Sequence, residues 1–380
     1  MSARPSLGKI AREWLRIGII GFGGPPTHIA LLRDLCVVRE RWMTEEEFQD
    51  AIAATNLLPG PASTQMAIFC AWRQRGAAGA LLGGACFIVP GLIVILLLAA
   101  LFLGPSPPRW VRGAGAGAGA AVAAVAVNAA LGLVPGSWNR IVPKQRLRWI
   151  AYFAAGGASA ATVGPWLVLV LAACGAVEIA WQRRGAIAGF FAPVLPLAVA
   201  GSGGLGALVW VAFKVGALSY GGGFVIIPLM QADAVDHYHW MTNADFLNAV
   251  ALGQVTPGPV VQTVAVVGYA AHGVGGGLLA SAVAFAPSFA FVLVGAHRFS
   301  RLRGNATVRA FLDGAGPAAI GAIMGSAIPL AGALTEGWQA AVLGGAAGAL
   351  LILKRGVVQT LLAAALIGVI VALAGGPLPH

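Results

Sequence analysis

An uncharged apolar run from Gly76 to Leu103 constrains this chain more than any other feature. An α-helix needs roughly 20 apolar residues to cross the hydrocarbon core of a bilayer, and this run is longer. The composition agrees, because 58% of the 380 residues are hydrophobic and only 10% are charged. Tracts rich in glycine and alanine, such as Gly113 to Ala130, favour close contact between membrane helices. The sequence therefore predicts an all-α polytopic membrane protein.

The chain also repeats itself at a constant offset of 198 residues. Phe22-Gly23-Gly24 is matched by Tyr220-Gly221-Gly222, and Pro59-Gly60-Pro61 is matched by Pro257-Gly258-Pro259. Three polar pairs keep their chemical class at the same offset: Arg16 with Lys214, Glu47 with Asp245, and Asn56 with Gln254. We therefore predict two related halves, residues 1–184 and 204–380, joined by a connecting membrane span over residues 185–203.

The loops between apolar runs carry the basic residues, which accounts for the net charge of +11 without a nucleic acid partner. Lysine and arginine near helix ends prefer the cytoplasmic side of a membrane. The loop after the first Pro-Gly-Pro segment holds Arg73 and Arg75, whereas the equivalent loop around His272 holds no lysine or arginine. Equivalent loops therefore face opposite sides. This pattern predicts two inverted-topology repeats, roughly 10 to 13 spans, and a cytoplasmic N-terminus.

The glycine runs and the two Pro-Gly-Pro segments predict broken or re-entrant helices, because neither can continue a regular helix. Irregular backbone inside a membrane survives only where it is buried in protein or lines a wet cavity. Discontinuous helices in paired repeats indicate a substrate site near the midplane, and exposed helix N-termini favour anions. The alternative is that the glycines only permit helix crossings and the prolines only kink helices.

Several side chains could serve an anion site. Arg16 and Lys214 could together neutralise a dianion; alternatively, Arg16 belongs to the basic N-terminal cluster and Lys214 extends to the membrane interface. Amides of Asn56 and Gln254 can donate hydrogen bonds, or can simply join helices. The same applies to the hydroxyls of Ser63, Thr64, Thr256 and Thr263. Glu47 and Asp245 could carry a coupling proton, although both positions also suit helix N-terminal residues.

The sequence carries none of the common motifs that would indicate an enzyme. The sequence contains no P-loop for ATP, no dinucleotide fingerprint after a strand, and no cysteine or histidine cluster with metal-ligand spacing. We therefore expect no cofactor, no metal and no catalytic residue, and we expect a transporter. The oligomeric state is left open, with a homodimer as one alternative.

These motifs resemble the chromate ion transporter family across nearly the whole chain. The similarity runs through Gly21 to Pro25, His28-Ile29-Ala30, Leu58 to Pro61 and Gln65 in the first half, and through Phe213 to Gly216, Tyr220 to Gly223 and Thr256 to Pro259 in the second half. The resemblance implies a protein of the bacterial inner membrane that expels chromate, a tetrahedral dianion, by means of the electrochemical gradient, with protons exchanged for the anion.

The residues and the resemblance together identify a set of candidate substrate-binding residues: Arg16, Phe22, Gly23, Gly24, His28, Asn56, Pro59, Gly60, Pro61, Gln65, Lys214, Tyr220, Gly221, Gly222, Gln254, Thr256, Pro257, Gly258 and Pro259. Three other functions compete with chromate export. They are a carrier of sulfate or another oxyanion, a passive anion channel, and a membrane-bound chromate reductase, which would need a redox cofactor.

Overall fold

The computed structural model describes residues 4–56, 58, 60–162, 167–182, 204–219, 226–295 and 305–379. Four of the predicted site residues, together with the predicted connecting span 185–203, lie outside the described residues: Pro59, Tyr220, Gly221 and Gly222. The described part of the chain is helical and contains no β-strand, which confirms the all-α prediction. The division of the chain at residues 185–203 stays a prediction.

The first half contains seven α-helices among its described residues. They are α1 (Leu7–Ile20), α2 (Pro25–Arg33), α3 (Glu45–Thr55), α4 (Ala62–Phe102), α5 (Arg109–Trp138), α6 (Arg146–Thr162) and α7 (Leu167–Gln182). A π-helix, Asp34–Arg39, continues α2.

The second half contains seven more α-helices among its described residues. They are α8 (Leu205–Leu218), α9 (Ile226–Gln231), α10 (Asn243–Val255), α11 (Thr263–Gly295), α12 (Ala306–Gly332), α13 (Gly337–Ala347) and α14 (Val357–Leu373). A π-helix, Ala232–His237, continues α9.

Local details recur in both halves at the offset that the sequence repeat predicts. The π-helices Asp34–Arg39 and Ala232–His237 occupy equivalent positions, and each is followed by a residue with positive φ, Arg41 at 51° and His239 at 52°. A third π-helix among the described residues, Gly348–Ile352, has no counterpart at the repeat offset, where α6 lies. Both α3 and α10 begin with a capping box, in which a threonine and an acidic residue satisfy each other's backbone N–H groups. These matches support two related halves, and the inversion of one half relative to the other stays a prediction.

Helices α4 and α11 each fold back on themselves at a glycine. In α4 the bend lies at Gly76, where φ is 59°. A Cβ atom built on Gly83 would lie 2.5 Å from the Cβ of Ala71. In a straight helix these two positions would be about 18 Å apart. Helix α11 bends in the same way at Gly273, with φ of 63°. Each is therefore a helical hairpin, with a short arm after the Pro-Gly-Pro segment and a long second arm.

Four helices among the described residues are long and apolar enough to cross a membrane, which confirms a multi-pass membrane protein. They are Ala62–Phe102, Arg109–Trp138, Val260–Gly295 and Ala306–Gly332. Because two of these four helices are hairpins, helix number does not equal the number of crossings, and the predicted span count stays a prediction.

The glycine-rich helix α5 packs closely against α14, at Gly113 and Gly368, and α12 packs against α6 in a similar way, at Gly156 and Ala318. A Cβ atom on either Gly113 or Gly156 would overlap a backbone carbonyl of the other helix. This is the close packing that the tract from Gly113 to Ala130 predicts. In both contacts, a helix of the first half packs directly against a helix of the second half.

Candidate functional site

The first glycine run is anchored by a buried histidine. Helix α1 ends at Ile20 with Gly21 as its C-cap, and α2 begins at Pro25. His28, on α2, is fully buried, and its Nε2 lies 2.9 Å from the carbonyl oxygen of Gly21. A carbonyl oxygen can only accept, so Nε2 carries the proton. In the neutral imidazole the other nitrogen, Nδ1, then accepts from the hydroxyl of Ser63, 3.4 Å away.

The same Gly21 carbonyl connects the first glycine run to the second Pro-Gly-Pro segment. It accepts a second hydrogen bond from the backbone N–H of Gly258, at 3.1 Å. Ser63, the partner of His28, stands two residues after Pro61, at the start of α4. The two Pro-Gly-Pro segments therefore approach each other around Gly21 and His28. We call this arrangement of Gly21, His28, Ser63 and Gly258 the junction.

Each Pro-Gly-Pro segment packs against helices of the other half. A Cβ atom built on Gly60 would lie 3.3 Å from the hydroxyl oxygen of Ser288 on α11, and 3.4 Å from the carbonyl oxygen of Gly216 on α8. In the second half, Pro257 lies against Gly91 on α4, where a Cβ atom would overlap the Pro257 carbonyl. Residues that the sequence places in separate repeats thus form a common interface.

Both helices that follow the Pro-Gly-Pro segments begin without a side-chain cap. Helix α4 has Pro61 at its N-cap, and the 3-10 turn Val260–Gln262 that leads into α11 has Pro259 at its N-cap. Neither proline side chain can accept a hydrogen bond from the first-turn N–H groups. Uncapped N–H groups and the positive end of the helix dipole attract anions.

Five buried polar atoms on the segments around the junction have no hydrogen-bond partner among the described residues. They are Thr64 Oγ1, Ser219 Oγ, Gln254 Nε2, Gln262 Oε1 and Ser288 Oγ. An unpaired buried polar atom costs about 1–3 kcal/mol, so such groups usually bind water or a ligand. Ser219, Gln262 and Ser288 were missed by the sequence analysis. The signal available was a polar residue within or beside an apolar helix.

Arg16 and Lys214 both have acidic partners in the structure. The Arg16 side chain is 52% exposed and lies 3.5 Å from Glu13 on the same helix. Lys214 Nζ donates to Asp233 Oδ2 at 2.6 Å, in a part-buried pair between α8 and the second π-helix. The position equivalent to Asp233 in the first half is Leu35. The halves therefore differ at this point, and the joint binding of a dianion by these two cations stays a prediction.

The remaining predicted residues occupy different environments. Phe22 is 44% exposed, and Asn56 is an exposed residue at the C-terminus of α3. Gln65 is fully buried, with its amide nitrogen 2.6 Å from a Cβ built on Gly60. The hydroxyl of Thr256 donates to the Leu252 carbonyl at 2.9 Å. Of these residues, only Gln65 therefore faces a Pro-Gly-Pro segment through its side chain.

Glu47 and Asp245 form the capping boxes of α3 and α10. Glu47 also accepts a hydrogen bond from Arg73 at 2.7 Å. The hydrogen bond from the Thr44 backbone N–H and the contact with Arg73 hold the pKa of the Glu47 carboxyl below its ordinary value. Both carboxylates thus cap the N-terminus of a helix, and proton coupling through them stays a prediction.

The structure also reveals a buried carboxylate that the sequence analysis did not single out. Glu178, on α7, is 2% exposed and accepts two hydrogen bonds from Arg148, at 2.8 and 2.9 Å. Tyr152 and Gln182 donate to the same carboxylate, at 2.9 and 2.8 Å. With its oxygens occupied in this way, Glu178 joins α6 to α7. A single acidic residue in an apolar helix was the available signal.

Comparisons with known proteins agree with the architecture. The family model described as "Chromate transporter" matches residues 8–179 and 206–370. A chromate transport protein of Cupriavidus metallidurans is 31% identical over 343 residues, covering 86% of this chain and 83% of the relative. A chromate transport protein of Pseudomonas aeruginosa is 28% identical over 355 residues, covering 87% and 82%.

An uncharacterized transporter of Methanocaldococcus jannaschii is 27% identical over 329 residues, covering 79% of this chain and 78% of the relative. No solved structure matches the chain. Two matched segments, one in each half, together span most of the sequence. The chain therefore belongs to the chromate transporter family and is a membrane transporter rather than an enzyme.

Proposed function

We propose that this protein is a secondary transporter that exports chromate across the bacterial inner membrane, driven by the electrochemical gradient, with its N-terminus in the cytoplasm. The observation that carries the proposal is the junction, where Gly21 accepts hydrogen bonds from both His28 and Gly258. It joins a glycine run of one half to a Pro-Gly-Pro segment of the other half. The names of the matched relatives support chromate as the substrate.

The chemistry around the junction suits a tetrahedral oxyanion. Chromate carries two negative charges and four oxygen atoms that accept hydrogen bonds. Uncapped N–H groups at the starts of α4 and of the turn before α11 can donate to these oxygens. The hydroxyls of Thr64 and Ser288 and the amide nitrogen of Gln254 can supply further donors. Together these groups would replace the water that the anion loses.

The packing between halves suits alternating access. Each Pro-Gly-Pro segment begins the short arm of a helical hairpin and rests on helices of the other half. Movement of one half against the other would therefore open or close the space between the segments. Both segments belong to the same chain, so a single chain would hold the whole site. We propose this rocking motion as the transport step.

The test is chromate uptake into energised everted membrane vesicles, in which uptake corresponds to export from the cell. We expect uptake above that of vesicles without the protein, and we expect an uncoupler to abolish it. Preloaded chromate should accelerate uptake in a carrier but not in a passive channel. A strong reduction by excess sulfate would extend the substrate class to sulfate-like oxyanions.

A matched pair of variants ties uptake to the site. Gly258→Leu adds a large side chain at the junction, where φ is 93°, whereas Gly132→Leu adds the same side chain on α5, where no neighbouring atom lies within 4 Å. We expect the first variant to lose uptake and the second to keep it, with equal insertion of both. Equal uptake by the two variants would contradict a substrate site at the junction.

A further inference from the structure

The ion pair between Lys214 and Asp233 joins the two helical segments that flank the second glycine run. Lys214 lies on α8, before the run, and Asp233 lies in the π-helix Ala232–His237, after it. The Nζ to Oδ2 distance is 2.6 Å, and the side chains are 19% and 11% exposed. The ammonium also lies 5.8 Å from the centre of the Trp210 ring. The pair therefore links the helix before the second glycine run to the π-helix after it.

The first half holds its own glycine run in another way. At the repeat offset, Lys214 corresponds to Arg16 and Asp233 corresponds to Leu35, which carries no charge. There the run is held by the hydrogen bond between His28 and Gly21, which involves no charged side chain. The second half thus uses two charges where the first half uses none. This asymmetry requires a reason.

Stability alone is a weak reason for this ion pair. Removing two charges from water is expensive, and well-packed apolar residues often stabilise a protein as much as a buried pair does. Ionisable residues in apolar membrane segments are usually retained for function. A lysine held by a carboxylate can exchange that carboxylate for another anion without becoming an isolated buried charge. The pair therefore has the chemistry of a site that an anion can enter.

We propose that the transported oxyanion displaces the Asp233 carboxylate from Lys214 during transport. Asp233 occupies the place of the oxyanion beside Lys214 whenever no oxyanion is bound. This inference rests on the proposed oxyanion transport. The Lys214 ammonium keeps an anionic partner throughout, and water that enters with the substrate hydrates the displaced Asp233 carboxylate. Because both anions need the same ammonium, Asp233 weakens substrate binding and re-forms the pair after release.

Few other charged groups surround Asp233 in the part of the chain that the structure describes. Lys214 is the single charged residue of α8. His237 follows Asp233 along the same segment and acts electrostatically on its carboxyl group, and Asp236 lies between the two residues. On α10, which packs against this π-helix, Asp245 is the titratable residue, and it is occupied in the capping box with Thr242. Lys214 is therefore the cation for which carboxylate and oxyanion would compete.

Three variants test the displacement by the chromate concentration that gives half-maximal uptake. Asp233→Asn removes the competitor, so we expect the half-saturation concentration to fall by about fivefold or more. Lys214→Gln removes the shared cation, so we expect the half-saturation concentration to rise by about tenfold or more. The double variant leaves neither charge unpaired and should insert well, yet it should keep the weak binding of Lys214→Gln. Glu45→Gln, which breaks the exposed pair with Arg33, is the matched control and should behave as wild type.

The outcomes separate this inference from the proposed function. Absence of chromate uptake by the wild-type protein would overturn both. Wild-type uptake together with an unchanged or higher half-saturation concentration in Asp233→Asn would overturn the displacement and leave chromate transport standing. If Asp233→Asn does not insert, the double variant decides, because wild-type half-saturation in that variant would show that Lys214 does not bind the oxyanion.

Discussion

Gly91 offers the sharpest test of the contact between the two halves. It lies in the long arm of α4, and it is not among the described residues with positive φ. An alanine at an ordinary helical position is favoured over glycine by about 1 kcal/mol. A methyl group on Gly91 would, however, overlap the backbone carbonyl of Pro257 and the side-chain oxygen of Gln262. Any loss of transport in Gly91→Ala must therefore come from this contact.

The structure sets the size of the effect. The built Cβ lies 2.1 Å from the Pro257 carbonyl oxygen, and ordinary van der Waals contact begins at 3.4 Å, so this oxygen would have to move by about 1.3 Å. Backbone yields less readily than a flexible side chain. Overpacking of this kind costs about 1–3 kcal/mol, which corresponds to about five- to 150-fold in the population of the native contact. We expect chromate uptake to fall by at least about fivefold.

The measurement compares Gly91→Ala with Gly132→Ala in everted vesicles. Gly132 is also helical, but no neighbouring atom lies within 4 Å of its built Cβ. Both variants gain the same methyl group and the same helical preference, so membrane insertion should be similar. The expected result is low uptake in the first variant and wild-type uptake in the second. Wild-type rate and half-saturation in Gly91→Ala would refute the packing of Pro257 against α4.

Three further variants test the site and the fold by vesicle uptake and by melting temperature in detergent. His28→Ala removes one of two donors to the Gly21 carbonyl, which should lower stability by about 1 kcal/mol and reduce uptake; no change in either quantity would contradict the junction. Ser288→Ala should leave the melting temperature unchanged and raise the half-saturation concentration about tenfold, whereas an unchanged value would remove Ser288 from the site. Glu178→Ala should lower stability by about 3–5 kcal/mol, and a melting temperature like that of Glu45→Gln would contradict its structural role.

Local features of the fold could be predicted because they depend on neighbouring residues. Hydropathy predicts membrane helices, since a long apolar run can satisfy its backbone in lipid only as a helix. The repeat offset predicts equivalent elements, and the capping boxes of α3 and α10 and the π-helices Asp34–Arg39 and Ala232–His237 occur at equivalent positions. The Pro-Gly-Pro segments also interrupt the helices as expected, because proline lacks a backbone N–H and both glycines have positive φ.

The candidate site could be predicted only in part. His28 lies at the junction, as its place beside the glycine run suggested, but its two partners could not be read from the sequence. Arg16 and Lys214 are matched at the repeat offset and both are basic, yet each contacts its own acidic partner in the structure, Glu13 and Asp233 respectively. An ion pair depends on which side chains meet, and that information is absent from the spacing along the chain.

By itself, the sequence determined that the protein is helical and crosses a membrane, and it showed the same motifs recurring at an offset of 198 residues. Tertiary structure alone decided that Gly21 of one half bonds Gly258 of the other, and that Lys214 faces Asp233. The physical reason is distance along the chain. Helix formation and helix breaking follow from interactions within a few residues, whereas the junction joins positions more than 200 residues apart and forms only when the helices of both halves pack together.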